Sequence, residues 1–119
     1  MQQKVNLADK FALLDGVYQP GVVGHLNDYK LQVVKVIGPF VWHKHEETDD
    51  FFMVISGHLT IHLRDRDIEL DPGELFVVPR GVEHCPDAST ETLVLLIEPD
   101  GTPNTGDAGG AMTVEPRDL

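Results

Sequence analysis

Three histidines and one aspartate carry the chemistry that this chain can offer. His43 and His45 lie two residues apart, and on an extended segment the period of two sends both imidazoles to one face and Lys44 to the other. Thr48 to Asp50 can turn the chain, so the apolar run Phe51 to Ile55 is expected to return antiparallel beside the histidine segment, with Asp50 near both rings. A further donor can come from His84, which follows the apolar run Leu75 to Val78 and the turn signal Pro79-Arg80-Gly81. Three imidazole nitrogens and one carboxylate oxygen form a borderline-hard donor set. It suits one divalent transition metal (iron, manganese, nickel, cobalt, copper or zinc) better than calcium or a thiophilic ion.

These two stretches resemble the paired motifs of the cupins. The first cupin motif reads roughly G-x5-H-x-H-x3/4-E-x6-G, and the chain offers His43, His45, a four-residue gap, Asp50, six residues and Gly57. The second reads roughly G-x5-P-x-G-x2-H-x3-N, and Gly73, Pro79, Gly81 and His84 keep its spacing. The sequence departs from the pattern in three places. Gly38 is one residue too close to His43, Asp50 stands where the family has Glu, and Ala88 replaces the closing Asn. The resemblance spans about Val33 to Pro99. It implies an all-β fold, an antiparallel, jelly-roll-like cupin β-barrel of the mannose-6-phosphate-isomerase-like type, with His43, His45, Asp50 and His84 as metal ligands inside it. It further implies a metal that acts as a Lewis acid on an enediol or keto-acid, as in isomerases, or that binds substrate together with oxygen, as in the cupin dioxygenases.

The remaining polar residues near these motifs are expected to do less. Glu46, Glu47 and Asp49 read as a solvated loop around Asp50. His58 and His62 fall opposite Leu59, Ile61 and Leu63 and therefore face solvent or an interface. His25 sits beside a turn without a partner in reach. Cys85, next to His84, points away from the donors as a buried, inert thiol, and Glu83 shares its parity. Trp42 lies on the Lys44 side and packs on the outside of the barrel or in a dimer interface. By strand parity the pocket wall is Val41, Phe52 and Val54, all apolar, so no general base is evident and chemistry performed mainly by the metal is favoured.

Stepping outward, the elements that must position these residues are short strands. Asn6 is an N-cap candidate for one helix of at most two turns, with Leu7, Phe11 and Leu14 on one face and Asp15-Gly16 as the stop. Tyr29 to Val36 alternates, with Lys30, Gln32, Val34 and Val36 on one side. Further strands are expected at Leu59 to Leu63, Ile68 to Leu70, Leu75 to Val78, around Val82 to Cys85, and Thr92 to Glu98, whereas Val22-Val23 is too short to assign. Phe51 to Ile55 is apolar on both faces, which predicts burial on both sides. The organisation expected is an N-terminal helix and lead-in over 1–28, the barrel over 29–99, and an irregular Gly/Pro-rich C-terminal tail over 100–119. The last ten residues are expected to fray, while Thr102 to Asp107 has side chains able to bond locally and order an arm.

Composition narrows the partners. A chain of 119 residues with 20 acidic and 9 basic side chains has a formal charge of −11, which repels polyanions and argues against nucleic acid. No apolar run approaches the roughly 20 residues that span a bilayer, so no membrane role is expected. The start lacks the apolar core of a signal peptide, and the lone Cys85 agrees with a cytoplasmic location. Phe51 to Ile55 and Leu93 to Ile97 carry more apolar surface than one small barrel covers, and a symmetric homodimer would cover it. The expectation is a metal-dependent enzyme acting on a small-molecule substrate with two oxygen donors, by dioxygenase- or isomerase-type chemistry. The competing reading is a cupin that holds a metal or small ligand for sensing or storage; the absence of an effector domain favours the enzyme.

Overall fold

The computed structural model describes residues 1–119. In chain order the elements are α1 (Leu7–Phe11), β1 (Gly21–Leu26), β2 (Tyr29–Val36), β3 (Asp50–Ser56), β4 (Leu59–Leu63), β5 (Asp67–Leu70), β6 (Leu75–Val78), β7 (His84–Asp87), β8 (Thr92–Pro99) and β9 (Arg117–Asp118). Two sheets face one another, one of six strands ordered β6-β3-β8-β2-β1-β9 and one of three ordered β5-β4-β7. All pairings are antiparallel except β1 with β9. The fold is the expected all-β barrel-like sandwich with a short N-terminal helix.

Alternation builds the core. Lys30, Gln32, Val34 and Val36 point inward from β2, and Val34, Val36, Phe52, Val54, Val78 and Val94 meet Leu59, Ile61 and Leu70 of the smaller sheet. The Asn6 carboxamide oxygen accepts from the Asp9 N–H at 3.0 Å and caps α1, as the sequence predicts. Phe11 and Leu14 then bury against Val33 on the other face of β2, with Ile55, Leu93 and Leu95 beside them. The middle of β2 is thus covered on both sides.

Three local expectations are corrected. His43-Lys44-His45 is not a strand. Its only ladder contact is an isolated antiparallel bridge from His43 to His84, and β3 pairs with β6 and β8 rather than with the histidine segment. An apolar strand gains most where both its edges are paired, and β3 finds that between β6 and β8. Second, a six-residue β1 stands where only Val22-Val23 hinted at one. It bulges between Val22 and Gly24 and closes on β2 through a two-residue turn in which Asn27 adopts a φ of 53°.

Third, the last ten residues do not fray. Arg117 and Leu119 donate their N–H groups to the carbonyls of Pro20 (3.2 Å) and Val22 (2.9 Å), and Lys10 Nζ donates to the Leu119 carbonyl at 2.8 Å. The Arg117 guanidinium also pairs with Asp15 at 2.6 Å. Between β8 and β9 the Asn104 side chain donates to the Met112 carbonyl (2.9 Å) and accepts from the Val114 N–H (3.1 Å), which folds the arm on itself around a fully buried Thr105. The sheet therefore extends beyond residues 29–99 at both ends. No helix is long and apolar enough to cross a membrane.

Candidate metal centre

Backbone geometry, not a regular strand, aims the histidines. The His43 N–H donates to the His84 carbonyl at 3.0 Å and the His84 N–H returns the bond to His43 at 2.8 Å, which sets the two rings side by side, 4.3 Å between centroids. Gly81, at φ +77°, turns the chain ahead of His84 and donates its N–H to the His45 carbonyl at 2.8 Å. Asp50 enters from the first residue of β3. The donor atoms of His43, His45, Asp50 and His84 lie within 4.8 Å of one another, and all four residues are buried.

Hydrogen bonds fix which ring nitrogens face inward. His43 Nδ1 sits 2.9 Å from the Val41 carbonyl and His84 Nδ1 2.9 Å from the Val82 carbonyl, so each Nδ1–H donates outward and each Nε2 is left for the centre. Asp50 Oδ2 lies 2.9 Å from His84 Nε2 and 3.3 Å from His45 Nε2. Burial lowers the His43 imidazole to about 4, helped by the neighbouring His84, so it is neutral and carries a free lone pair at neutral pH. Burial opposes charge on His45 as well, but the Asp50 carboxylate outweighs it and its pKa lies above normal. Burial likewise works against the Asp50 carboxylate, yet His45 and His84 hold it down at about 2. An anionic oxygen and three imidazoles converging on one buried point fit a divalent transition cation, which would take the place of the shared protons.

Beside these donors is a cavity of about 50 Å³ whose walls are mostly apolar. Of the wall residues expected from parity, Phe52 lines it. Val54 does not; it lies fully buried in the core, and Val41 contributes its carbonyl to His43 rather than a side chain to the wall. For Val41 the cause is the irregular path of residues 40–45, where strand parity does not apply, so Phe40 takes the wall position; Val54 keeps the parity of Phe52 but sits within the core cluster that includes Leu59 and Ile61. Tyr18 stacks on Phe40 at 4.6 Å and donates its hydroxyl to the Gly38 carbonyl at 2.6 Å, bracing that segment.

Sequence reasoning missed the polar group of this cavity. Glu98, 4% exposed, lines it at the end of β8, and the antiparallel register places it opposite Lys30. Gln32 Nε2 donates to Glu98 Oε1 at 2.7 Å and Lys30 Nζ is 3.7 Å from the same oxygen. Burial, then the charge of Asp50, pushes the Glu98 carboxyl up to about 7. The one available signal was Gln32 and Lys30 on the inward face of β2, which call for a buried partner.

His58, His62 and Cys85 fall where strand parity places them. His58 bonds to Glu69 and Asp71, and His62 to Asp67 and Asp87, outside the barrel. His25, expected to lack a partner, instead finds Asp100 at 3.4 Å, because the hairpin of β1 and β2 lies beside the end of β8. Cys85 is buried, and burial raises its thiol pKa. Trp42 lies under the Arg64 guanidinium at 3.7 Å, and Glu83 pairs with the same arginine at 3.1 Å.

A cupin-2 domain containing protein from Shewanella frigidimarina NCIMB 400 superimposes on this fold with a TM-score of 0.79. It is 46% identical over 80% of this chain and 93% of its own. The uncharacterized protein YdbB of Bacillus subtilis is 26% identical over 77 residues, 64% of this chain and 68% of that protein. The 3-hydroxyanthranilate 3,4-dioxygenase of Xanthomonas euvesicatoria is 29% identical over 69 residues, 55% of this chain but only 39% of the enzyme, so the chain spans well under half of that relative. The sequence model of the cupin domain matches residues 31–98, and with that match over more than half its length the chain belongs to the cupin family.

Proposed function

We propose that this cupin is a metal-dependent enzyme that holds one divalent transition metal through His43, His45, Asp50 and His84 and acts on a small substrate offering two oxygen donors. The observation that carries the reading is the convergence of four buried donors at one side of an otherwise largely apolar cavity. Dioxygenase-type chemistry is favoured over isomerisation. The match to a relative named as a 3-hydroxyanthranilate dioxygenase supports it.

A bound metal would supply Lewis-acid or redox chemistry to the ligand beside it. The chain's own residues do the rest. Val41 and Val82 carbonyls lock the orientation of two imidazoles, Phe40, Phe52, Val34 and Leu96 exclude water, and the cavity volume limits what enters. A single water needs about 10–15 Å³ of such space, so about 50 Å³ admits a ligand of only a few heavy atoms. The enzyme works as a homodimer through the outer face of the six-stranded sheet, where Leu75 and Val77 of edge strand β6 are 52% and 42% exposed.

Elemental analysis of the purified protein beside the double variant His43→Ala/His45→Ala tests the reading. About one transition-metal ion per chain in the parent, lost in the variant while the melting transition persists, is expected. Oxygen uptake with diketones and hydroxyketones then tests turnover. A parent that takes up no metal on reconstitution refutes the centre, and a loaded protein that binds such ligands without consuming oxygen or converting them is a binding module instead.

A further inference from the structure

The cavity has a second polar group, Glu98, that metal binding does not explain. Glu98 Oε1 is taken by Gln32, with Lys30 behind it, but Oε2 makes no hydrogen bond. No buried side-chain oxygen or nitrogen in the molecule lacks a partner, so Oε2 is an atom that the cavity itself reaches. A carboxyl group 4% exposed, held rigid by one oxygen and open at the other, is a built acceptor once it is ionised, above about pH 7.

The charges around it set what it accepts from. Lys30 is directed away from the cavity, its Nζ donating to the Thr102 carbonyl at 3.2 Å, and neither Lys nor Arg is among the lining residues. The outer groove that shares His45 with this cavity runs between residues 44–48 and 99–107 and carries Glu46, Glu47, Asp100 and Asp107. Its single cation, Lys44, is paired with Glu46 at 3.1 Å. The Glu98 carboxyl on the wall and the acidic groove beside the cavity both oppose an anionic ligand, and no Lys or Arg side chain lines the cavity to receive one.

We propose that Glu98, positioned by Gln32, is the specificity residue of this cavity, accepting a hydrogen bond from a hydroxyl or N–H group of an uncharged substrate and excluding carboxylate and phosphate ligands. This rests on the metal-centre reading above, and it narrows that reading from oxygen-donor ligands in general to neutral hydroxyketone-like ones. Glu98 receives the hydroxyl or N–H of the ligand on the wall beside the donors; it is not part of the donor set.

Three probes of similar size separate the alternatives: hydroxyacetone, which has the donor; methoxyacetone, which lacks it; and pyruvate, which is anionic. Each is titrated into cobalt(II)-loaded protein and followed by calorimetry and by the visible spectrum of the ion. Hydroxyacetone is expected to bind about tenfold more tightly than either of the others. Glu98→Gln is expected to retain its cobalt content and to lose most of the discrimination against pyruvate. A wild-type protein that binds pyruvate as tightly as hydroxyacetone, or none of the probes, overturns the proposal without recourse to any variant. An unchanged preference in Glu98→Gln overturns it too, as does loss of cobalt from that variant, which would make Glu98 a support of the metal. Failure of the wild-type protein to take up cobalt removes the metal centre itself, a result distinct from all of these.

Discussion

Replacing Gly106 by alanine probes how closely the C-terminal arm rests on the donor segment. At Gly106 the backbone has φ +54°, and an added Cβ would lie 2.3 Å from the Lys44 carbonyl oxygen, 3.0 Å from its carbon and 3.1 Å from His43 Cδ2. Gly109 has nearly the same conformation, φ +60°, with nothing within 4 Å of its Cβ position. Alanine in the left-handed region costs about 1–2 kcal/mol at either site. At 106 it must also push the arm off Lys44, breaking the Asp107 N–H bond to the Lys44 carbonyl (3.1 Å) and the Lys44 N–H bond to Asp107 Oδ1 (2.8 Å). At about 1 kcal/mol each, these make Gly106→Ala about 2 kcal/mol worse than Gly109→Ala. For a chain of this size that corresponds to a difference of about 8 °C in Tm, read by calorimetry on the metal-free proteins. Amide exchange gives the local readout, since the Lys44 amide loses its Asp107 acceptor only in Gly106→Ala. Equal melting temperatures together with equal protection at Lys44 would show that the arm does not seat there.

Two other outcomes follow from the surface. Sedimentation of the wild-type protein is expected to give a dimer of the 13.2 kDa chain, and Leu75→Glu/Val77→Glu to give monomers that still melt cooperatively; a monomeric wild type refutes the interface. His62, bonded to Asp87 at 3.0 Å and Asp67 at 2.7 Å, has its pKa raised, first by Asp87 and then by Asp67. The folded-state value therefore exceeds the unfolded one. The stability that these pairs add is fully present below about pH 6.5, the ordinary histidine value, and is lost as pH rises through the folded-state pKa. Ring-proton NMR is expected to place the His62 midpoint above the ordinary value and to bring it down in Asp87→Asn; a midpoint already at the ordinary value contradicts the pairing.

Much of the fold was written in alternation. β2 and β4 begin and end where the alternation places them, although α1 covers the second face of β2 at Val33, and β6 was legible as a short apolar run bounded by turn signals. Where no such contrast exists, the sequence was silent: β1 holds only two consecutive apolar residues at its inner end, and cross-strand bonds to β2 make it a strand. The four donors were legible because their spacing is local and their turns are fixed by Pro79 and Gly81. The second polar group of the cavity was not. Glu98 closes an apolar run and reads as its polar end, and only the register of β8 against β2 brings it beside Lys30 and Gln32, sixty-odd residues away in the chain. Register is a long-range property, so neither the partners nor the open oxygen of Glu98 can be read from its neighbours.

The two-residue strand β9 has an effect out of proportion to its length. Anchored by β8 at one end and β9 at the other, the segment from Asp100 to Pro116 is a closed loop rather than a free tail. The entropy of closing such a loop grows only as the logarithm of its length, so a few hydrogen bonds at Arg117 and Leu119 are enough to hold it shut. Once it is shut, Gly106 and Asp107 meet Lys44 at the high effective concentration of a tethered partner, so weak contacts suffice to keep them in place. A chain cut after Pro116 would keep every residue that touches the cavity and the donors, yet leave Asn104, Gly106 and Asp107 on a flexible end.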